Sequence, residues 1–194
     1  LAIQTTIVAG RNLRRQLLRL EDRVPHLAAI ATLIEECRGI VSAITNTLNI
    51  TGALLVNFIG HGALERWTHQ AIFSNPDVAA LQNGDRLPVV LSWTCLDGYW
   101  DHPTRISLAE TLLRAPNAGA VSTFSPTGLG VATGHHILGR DMYQALNQTG
   151  TRLGPASMAG KLALFGYASV YYRSLIDTYT VIGDPALRLQ VPTG

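Results

Sequence analysis

Apolar positions along the chain fall into two kinds of run. Between residues 7 and 48 they recur at helical spacing. Leu13, Leu17, Leu18 and Leu20 mark one stretch, and Leu27, Ile30, Leu33, Ile34 and Ile40 mark a second. Pro25 separates the two, and Asn49 to Gly52 reads as a turn. The apolar runs then become short and continuous. Leu54 to Ile59, Pro88 to Thr94 and Gly119 to Phe124 read as buried strands. Helical segments lie between and after them. One opens with Asn75 as N-cap and Pro76 at the first helical position, and ends at Asn83-Gly84. A short one spans Ser107 to Leu113, and longer ones span Thr133 to Asn147 and Pro155 to about Ser174. Ala186 to Val191 reads as a last strand. Buried strands alternating with helices predict an α/β fold, with a mainly parallel sheet and helices on both faces. Residues 1–49 are expected to form a helical N-terminal segment, a remnant of or linker from an upstream part, and residues 50–194 the core.

Composition narrows the function classes. Of the 194 residues, 47% are hydrophobic and 14% charged, which excludes a disordered chain. A net charge of +2, with no long basic run, argues against a nucleic-acid partner. No apolar run is long enough to span a bilayer. The two cysteines, Cys37 and Cys95, make neither a disulfide framework nor a zinc knuckle. His135-His136 point about 100° apart on a helix, so they form a poor metal pair. Neither a metal nor a cofactor is expected.

Two of the strands end in chemically useful residues. One ends Phe58-Ile59-Gly60-His61-Gly62, and the next ends Leu91-Ser92-Trp93-Thr94-Cys95. The separation, 95 − 61 = 34 residues, suits one crossover carrying a helix. Adjacent parallel strands would then bring both side chains to the same sheet edge, where ligands bind in such folds. A thiol beside an imidazole is a workable nucleophile, and the imidazolium can protonate a leaving amine. Gly62 exposes its N–H, which with the N–H of Cys95 would bind a developing oxyanion. Spacing alone leaves a blander alternative open: Cys95 as a small buried hydrophobe and His61 as a turn residue.

A family resemblance adds to this. Val56 to Gly62, with Trp67 soon after, resembles the histidine block of the gingipain family of cysteine peptidases. Val90 to Cys95, followed by Gly98 and Tyr99, resembles its cysteine block. Leu108 to Leu113 and Gly119 to Val121 resemble the family's next helix and strand, and Ile182-Gly183-Asp184-Pro185-Ala186-Leu187 resembles its closing motif. The resemblance covers about residues 50 to 191. It implies a caspase-like fold, peptide-bond hydrolysis through a thioester acyl-enzyme, and His61 and Cys95 as the dyad. It also implies a peptide or protein substrate and a secreted or cell-surface location. In the caspase-like plan the segment after the third strand borders the pocket for the residue preceding the cleaved bond. Phe124, Ser125 and Thr127 are therefore expected in that wall, with Trp100 as a neighbour.

The departures are upstream. Gingipains carry further strands and acidic residues before the histidine, and Glu21, Asp22, Glu35 and Glu36 match none of those motifs. They read as a solvated helix face. The chain is therefore expected to be a piece of a longer protein, with a sheet edge open to association with another copy. A catalytically silent binding or scaffold domain is the rival reading. Asp97 and Asp101 flank the nucleophile loop, where either could touch a substrate or cap a turn, and the turn is the favoured reading. His102 reads as a loop residue, Glu110 as structural, and Asp184-Pro185 as a closing turn.

Overall fold

The computed structural model describes residues 3–4, 27–148, 150–167 and 169–189. The strands are β1 (Ile3–Gln4), β2 (Leu55–Ile59), β3 (Gly62–Ala63), β4 (Arg66–Trp67), β5 (Phe73–Ser74), β6 (Val89–Trp93), β7 (Ser122–Pro126) and β8 (Tyr179–Gly183). The helices are α1 (Leu27–Asn46), α2 (Asn75–Val78), α3 (Leu108–Arg114), α4 (Ala132–Leu146), α5 (Leu153–Gly166) and α6 (Val170–Thr178).

Five strands form one sheet in the order β1-β2-β6-β7-β8. The first four run parallel, and β8 closes the edge antiparallel to β7. Every residue of β6 and of β7 is buried, because helices cover both faces and the strands need no polar side. On one face Val89, Leu91, Trp93 and Phe124 pack against Leu138 and Met142 of α4, Leu164 of α5 and Leu175 of α6. On the other, Phe58 and Val90 meet Trp67, Phe73, Val78, and Leu108 and Leu112 of α3, with Ile40 and Ile44 of α1 against them. This mixed α/β sandwich matches the caspase-like expectation.

Several elements differ from the sequence reading. The strand beginning the chain, Ile3–Gln4, pairs with Val56 and Asn57, so β2 has a neighbour where an open edge was expected. The turn expected at Asn49 to Gly52 is a π-helical turn, Thr47–Thr51, that prolongs α1 and stops at Gly52 with φ 75°. The helix expected to run to Asn83-Gly84 is one turn, and Ser74 rather than Asn75 occupies its N-cap. The helix expected from Pro155 to Ser174 is two, α5 and α6. Among the described residues the last strand is β8; in the stretch from Ala186 the described part ends at residue 189 and holds an isolated bridge from Arg188 to Arg152. The Leu13 to Leu20 stretch, Pro25, Glu21, Asp22 and Val191 lie outside the described residues.

Local signals did place α3. The Ser107 hydroxyl accepts from the Glu110 N–H, and the Glu110 carboxylate accepts from the Ser107 N–H, a complete capping box. The Asp184 turn is also present, with Asp184 accepting from the Ala186 and Leu187 N–H groups.

Candidate active site

The β2–β6 ladder runs in register from Leu55↔Val89 to Ile59↔Trp93. His61 and Cys95 each lie two residues beyond the last pair. Both therefore leave the sheet at the same level on adjacent parallel strands, which are about 4.8 Å apart. The Gly60 N–H still donates to the Trp93 carbonyl at 3.2 Å, so the strands stay together to the edge. His61 is exposed and Cys95 half-buried.

Gly62 makes the close approach between the two segments. A Cβ there would lie 2.3 Å from Thr94 Oγ1 and 3.0 Å from the Cys95 carbonyl oxygen. Only a residue without a side chain fits. Gly62 also starts a small antiparallel sheet, β3-β4-β5, that the sequence reading did not foresee. Gly62 faces Trp67, and the Thr68 N–H donates to the His61 carbonyl at 2.7 Å. That bond flanks a pair of the non-hydrogen-bonded kind, so the Gly62 N–H is directed away from β4.

The cysteine loop is tightly fixed. Leu96 has φ 64°, the left-handed region that a Leu adopts only when its surroundings impose it. Its N–H donates to the Gly128 carbonyl, and the Gly98 N–H donates to the Pro126 carbonyl, each at 3.0 Å. Gly98 is pressed against Ser125, where an added Cβ would stand 2.7 Å from the Ser125 Cβ. The Cys95 Sγ accepts from the Gly130 N–H at 3.3 Å. Thr94 is held by Tyr179, whose Oη accepts from the Thr94 N–H and donates to the Ser92 carbonyl.

Besides Tyr179, two buried titratable groups lie beside this loop, Asp97 and His135, and the sequence reading gave His135 no role. Asp97, assigned there to a turn, is 1% exposed. Its Oδ2 accepts from Trp67 Nε1–H at 2.9 Å. Burial pushes its carboxyl up from 3.8 to about 7, against the pull of that hydrogen bond. Asp97-Gly98 looks like an ordinary turn dipeptide; the only signal was its place two residues after the cysteine. His135 is buried against Tyr179, and burial pushes it down to about 4, so it is neutral near pH 7. Gly130 lies against its ring, where a Cβ would come 2.0 Å from Nε2.

The expected pocket residues divide. Trp100 is 55% exposed, and Thr127 is half-buried with its hydroxyl donating to the Thr178 carbonyl. Ser125 is buried behind Gly98. Phe124 is fully buried between Trp93 and Tyr179, so its ring belongs to the core and not to a cleft wall. Its position on β7, in register with Leu91, turns it to the inner face. Among the described residues no cluster of three or more His, Cys, Asp or Glu could hold a metal ion, and no helix is long and apolar enough to cross a membrane.

The arrangement has known relatives. The profile of "Peptidase family C25" matches residues 11–190. The chain belongs to this family. The family is that of the gingipain-type cysteine peptidases, and the fold is caspase-like. Gingipain R2 of Porphyromonas gingivalis is 28% identical over 156 residues, covering 73% of this chain and 20% of that protein. Gingipain R1 of the same organism is 28% identical, again over 73% of this chain, and 15% of its own length is covered. The crystal structure of the Arg-specific cysteine proteinase gingipain R superposes with a TM-score of 0.70 at 25% identity, covering 76% of this chain and 36% of that one. The complex of the pro- and mature domains of P. gingivalis RgpB gives 0.69 at 24% identity, over 79% and 37%. The C25 chain thus spans a fifth or less of the length of these curated relatives. The family profile begins well upstream of the histidine block, within the segment where motifs alone showed no match.

Proposed function

We propose that this C25 domain is an endopeptidase in which Cys95 is the nucleophile and His61 its acid–base partner. The supporting observation is the register of β2 and β6, which delivers both residues to one level of the sheet's carboxyl edge. In this mechanism the Cys95 thiol gives its proton to His61, and the thiolate attacks the scissile carbonyl carbon. The C–N bond breaks as His61 protonates the leaving amine, and a thioester remains. Water, deprotonated by His61, then cleaves the thioester, and the thiol is regenerated. The N–H groups of Gly62 and Cys95 bind the oxyanion in both steps. The Leu96 and Gly98 N–H groups are unsuited to this, because β7-side carbonyls already hold them. The Gly130 N–H holds the sulfur in place.

Substrate is a peptide or protein segment, bordered by Trp100 and the Thr127-Gly128 turn, with Ser125 supporting that wall from behind Gly98. The domain works as part of a larger polypeptide outside the cytoplasm, as the gingipain likeness suggests. The test is alkylation of the intact protein with a thiol reagent. Cys95 should react at least about tenfold faster than Cys37, and His61→Ala should remove the difference. Peptide turnover should vanish in both Cys95→Ala and His61→Ala. Equal reactivity of the two cysteines, with no turnover, would identify a silent scaffold domain instead.

A further inference from the structure

The hairpin after His61 and the loop after Cys95 come from strands 34 residues apart in sequence, 95 − 61. A His–Cys pair works only if the two segments keep a fixed spacing, since a displacement of about 1 Å at a reacting group costs about a hundredfold in rate. The sheet register brings the segments to one edge, but both leave the ladder before reaching the reactive residues. Something beyond the ladder has to join them.

Trp67 and Asp97 make that join. Trp67 faces Gly62 across the hairpin, so its backbone moves with His61. Its ring stacks on Phe58 of β2, with centroids 4.5 Å apart and planes 10° from parallel. From there its Nε1–H reaches Asp97 Oδ2 at 2.9 Å, with both residues buried. Asp97 lies two residues after Cys95, and its carbonyl accepts from the Ala109 N–H of α3 at 2.9 Å. On the hairpin side, the Leu64 carbonyl accepts from the Leu108 N–H at 2.8 Å. Helix α3 thus donates one bond to each segment, and the Trp67–Asp97 bond closes the frame between them.

The chemistry of Asp97 argues against a purely space-filling role. A buried carboxyl costs folding free energy that an apolar side chain of similar size would not. One of its oxygens, Oδ1, has no hydrogen-bond partner among the described residues. What the carboxyl contributes in exchange is one directed acceptor for the indole of the histidine hairpin. We propose that Asp97 is a positioning residue for the dyad, its carboxyl holding Trp67 so that the His61 hairpin keeps a fixed spacing from Cys95. This rests on the reading of His61 and Cys95 as a dyad.

The experiment uses the intact protein in a Cys37→Ser background and measures the pH profile of Cys95 alkylation, peptide turnover and thermal melting. Trp67→Phe keeps an aromatic ring against Phe58 but removes the N–H together with part of the indole, so the melting curve measures the packing loss separately. Asp97→Ala deletes the acceptor, and Asp97→Asn restores one. Trp67→Phe and Asp97→Ala should each lower kcat about ten- to a hundredfold with KM within about twofold. Each should also move the alkylation midpoint up by about one pH unit. The double variant should be no worse than the worse single one, because both remove the same bond. Asp97→Asn should recover most of kcat and the original midpoint. Additive losses, or an Asn variant as impaired as the Ala variant, would overturn the proposal. So would losses that track melting temperature with the alkylation midpoint unmoved. His61→Ala separates the two levels. If it leaves the profile of Cys95 unchanged, the dyad itself is wrong and the positioning role falls with it. If it shifts the profile while Trp67→Phe and Asp97→Ala do not, the dyad stands and only the positioning role fails.

Discussion

Gly62→Ala is the sharpest steric test of how the two strand ends meet. Gly62 does not adopt a positive φ, so alanine is allowed by the backbone and the whole effect comes from its Cβ. That atom would stand 2.3 Å from Thr94 Oγ1, 3.1 Å from Thr94 Cγ2 and 3.0 Å from the Cys95 carbonyl oxygen. Carbon contacts settle near about 3.5–4.0 Å, so one segment must retreat by about 1 Å. Thr94 is fully buried and its N–H is held by Tyr179, so it has nowhere cheap to go. Overpacking of this kind costs about 1–3 kcal/mol. In a domain of this size each kcal/mol lowers Tm by about 2–4 °C. The larger effect should be on rate, because the displaced segments carry His61 and Cys95, and about 1 Å of misplacement corresponds to about a hundredfold. The assay is kcat/KM on a peptide substrate beside a thermal melt, for Gly62→Ala, Thr94→Ala and the double variant. Thr94→Ala removes two of the three colliding atoms, so the double variant should recover most of the rate that Gly62→Ala loses. Wild-type turnover in Gly62→Ala, or no recovery in the double variant, would refute the packing argument.

Stability should depend on pH through Asp97. Its carboxyl ionises above 3.8 when unfolded but keeps its proton to about 7 when folded, so stability falls as pH rises across that window. The full fall is about 4 kcal/mol at about 1.36 kcal/mol per pKa unit. His135 slopes the other way: held near 4 in the fold against 6.5 unfolded, it removes stability as pH drops through that range. The two oppose each other between about pH 4 and 6.5, so the useful quantity is the difference between wild type and Asp97→Asn in urea melts at about pH 4.5, 6 and 8. The variant should gain on wild type as pH rises to about 7, and a pH-independent difference would show that Asp97 titrates normally. At α3, Ser107→Ala removes the N-cap acceptor and should cost about 1 kcal/mol, seen as a lower Tm with faster hydrogen exchange in the first turn of that helix. An unchanged Tm would mean that the capping box adds nothing beyond packing.

Short-range information was enough for the parts of this fold whose environment is uniform. Val89 to Trp93 is an apolar run because helices cover both sheet faces, and such a run is visible without knowing its partners; Leu55 to Ile59 was legible as a strand too, but of it only Phe58 is buried. The short helix from Ser107 and the turn at Asp184 depend on residues two or three positions apart, so they too were legible, although the capping box itself was not read. The ends of the two strands marked His61, Gly62 and Cys95 as the residues to watch. Wherever a residue's role depends on a distant partner, the local pattern misled. Tyr179 to Gly183 continues directly from α6 and becomes a strand only because β7 offers an antiparallel edge. Phe124 looked like a cleft residue at a strand end, but β7 extends to Pro126 and seals it between Trp93 and Tyr179. Asp97-Gly98 has the composition of a surface turn, and Trp67 and α3 bury it. The sequence by itself determined the central strands β2, β6 and β7 and the reactive residues that follow two of them, because runs of apolar side chains are visible without knowing their partners. Only the tertiary structure decided that Asp97 is an inner carboxyl bonded to the histidine hairpin, because its water is removed by Trp67, 30 positions away in the chain, and by the helix beyond it.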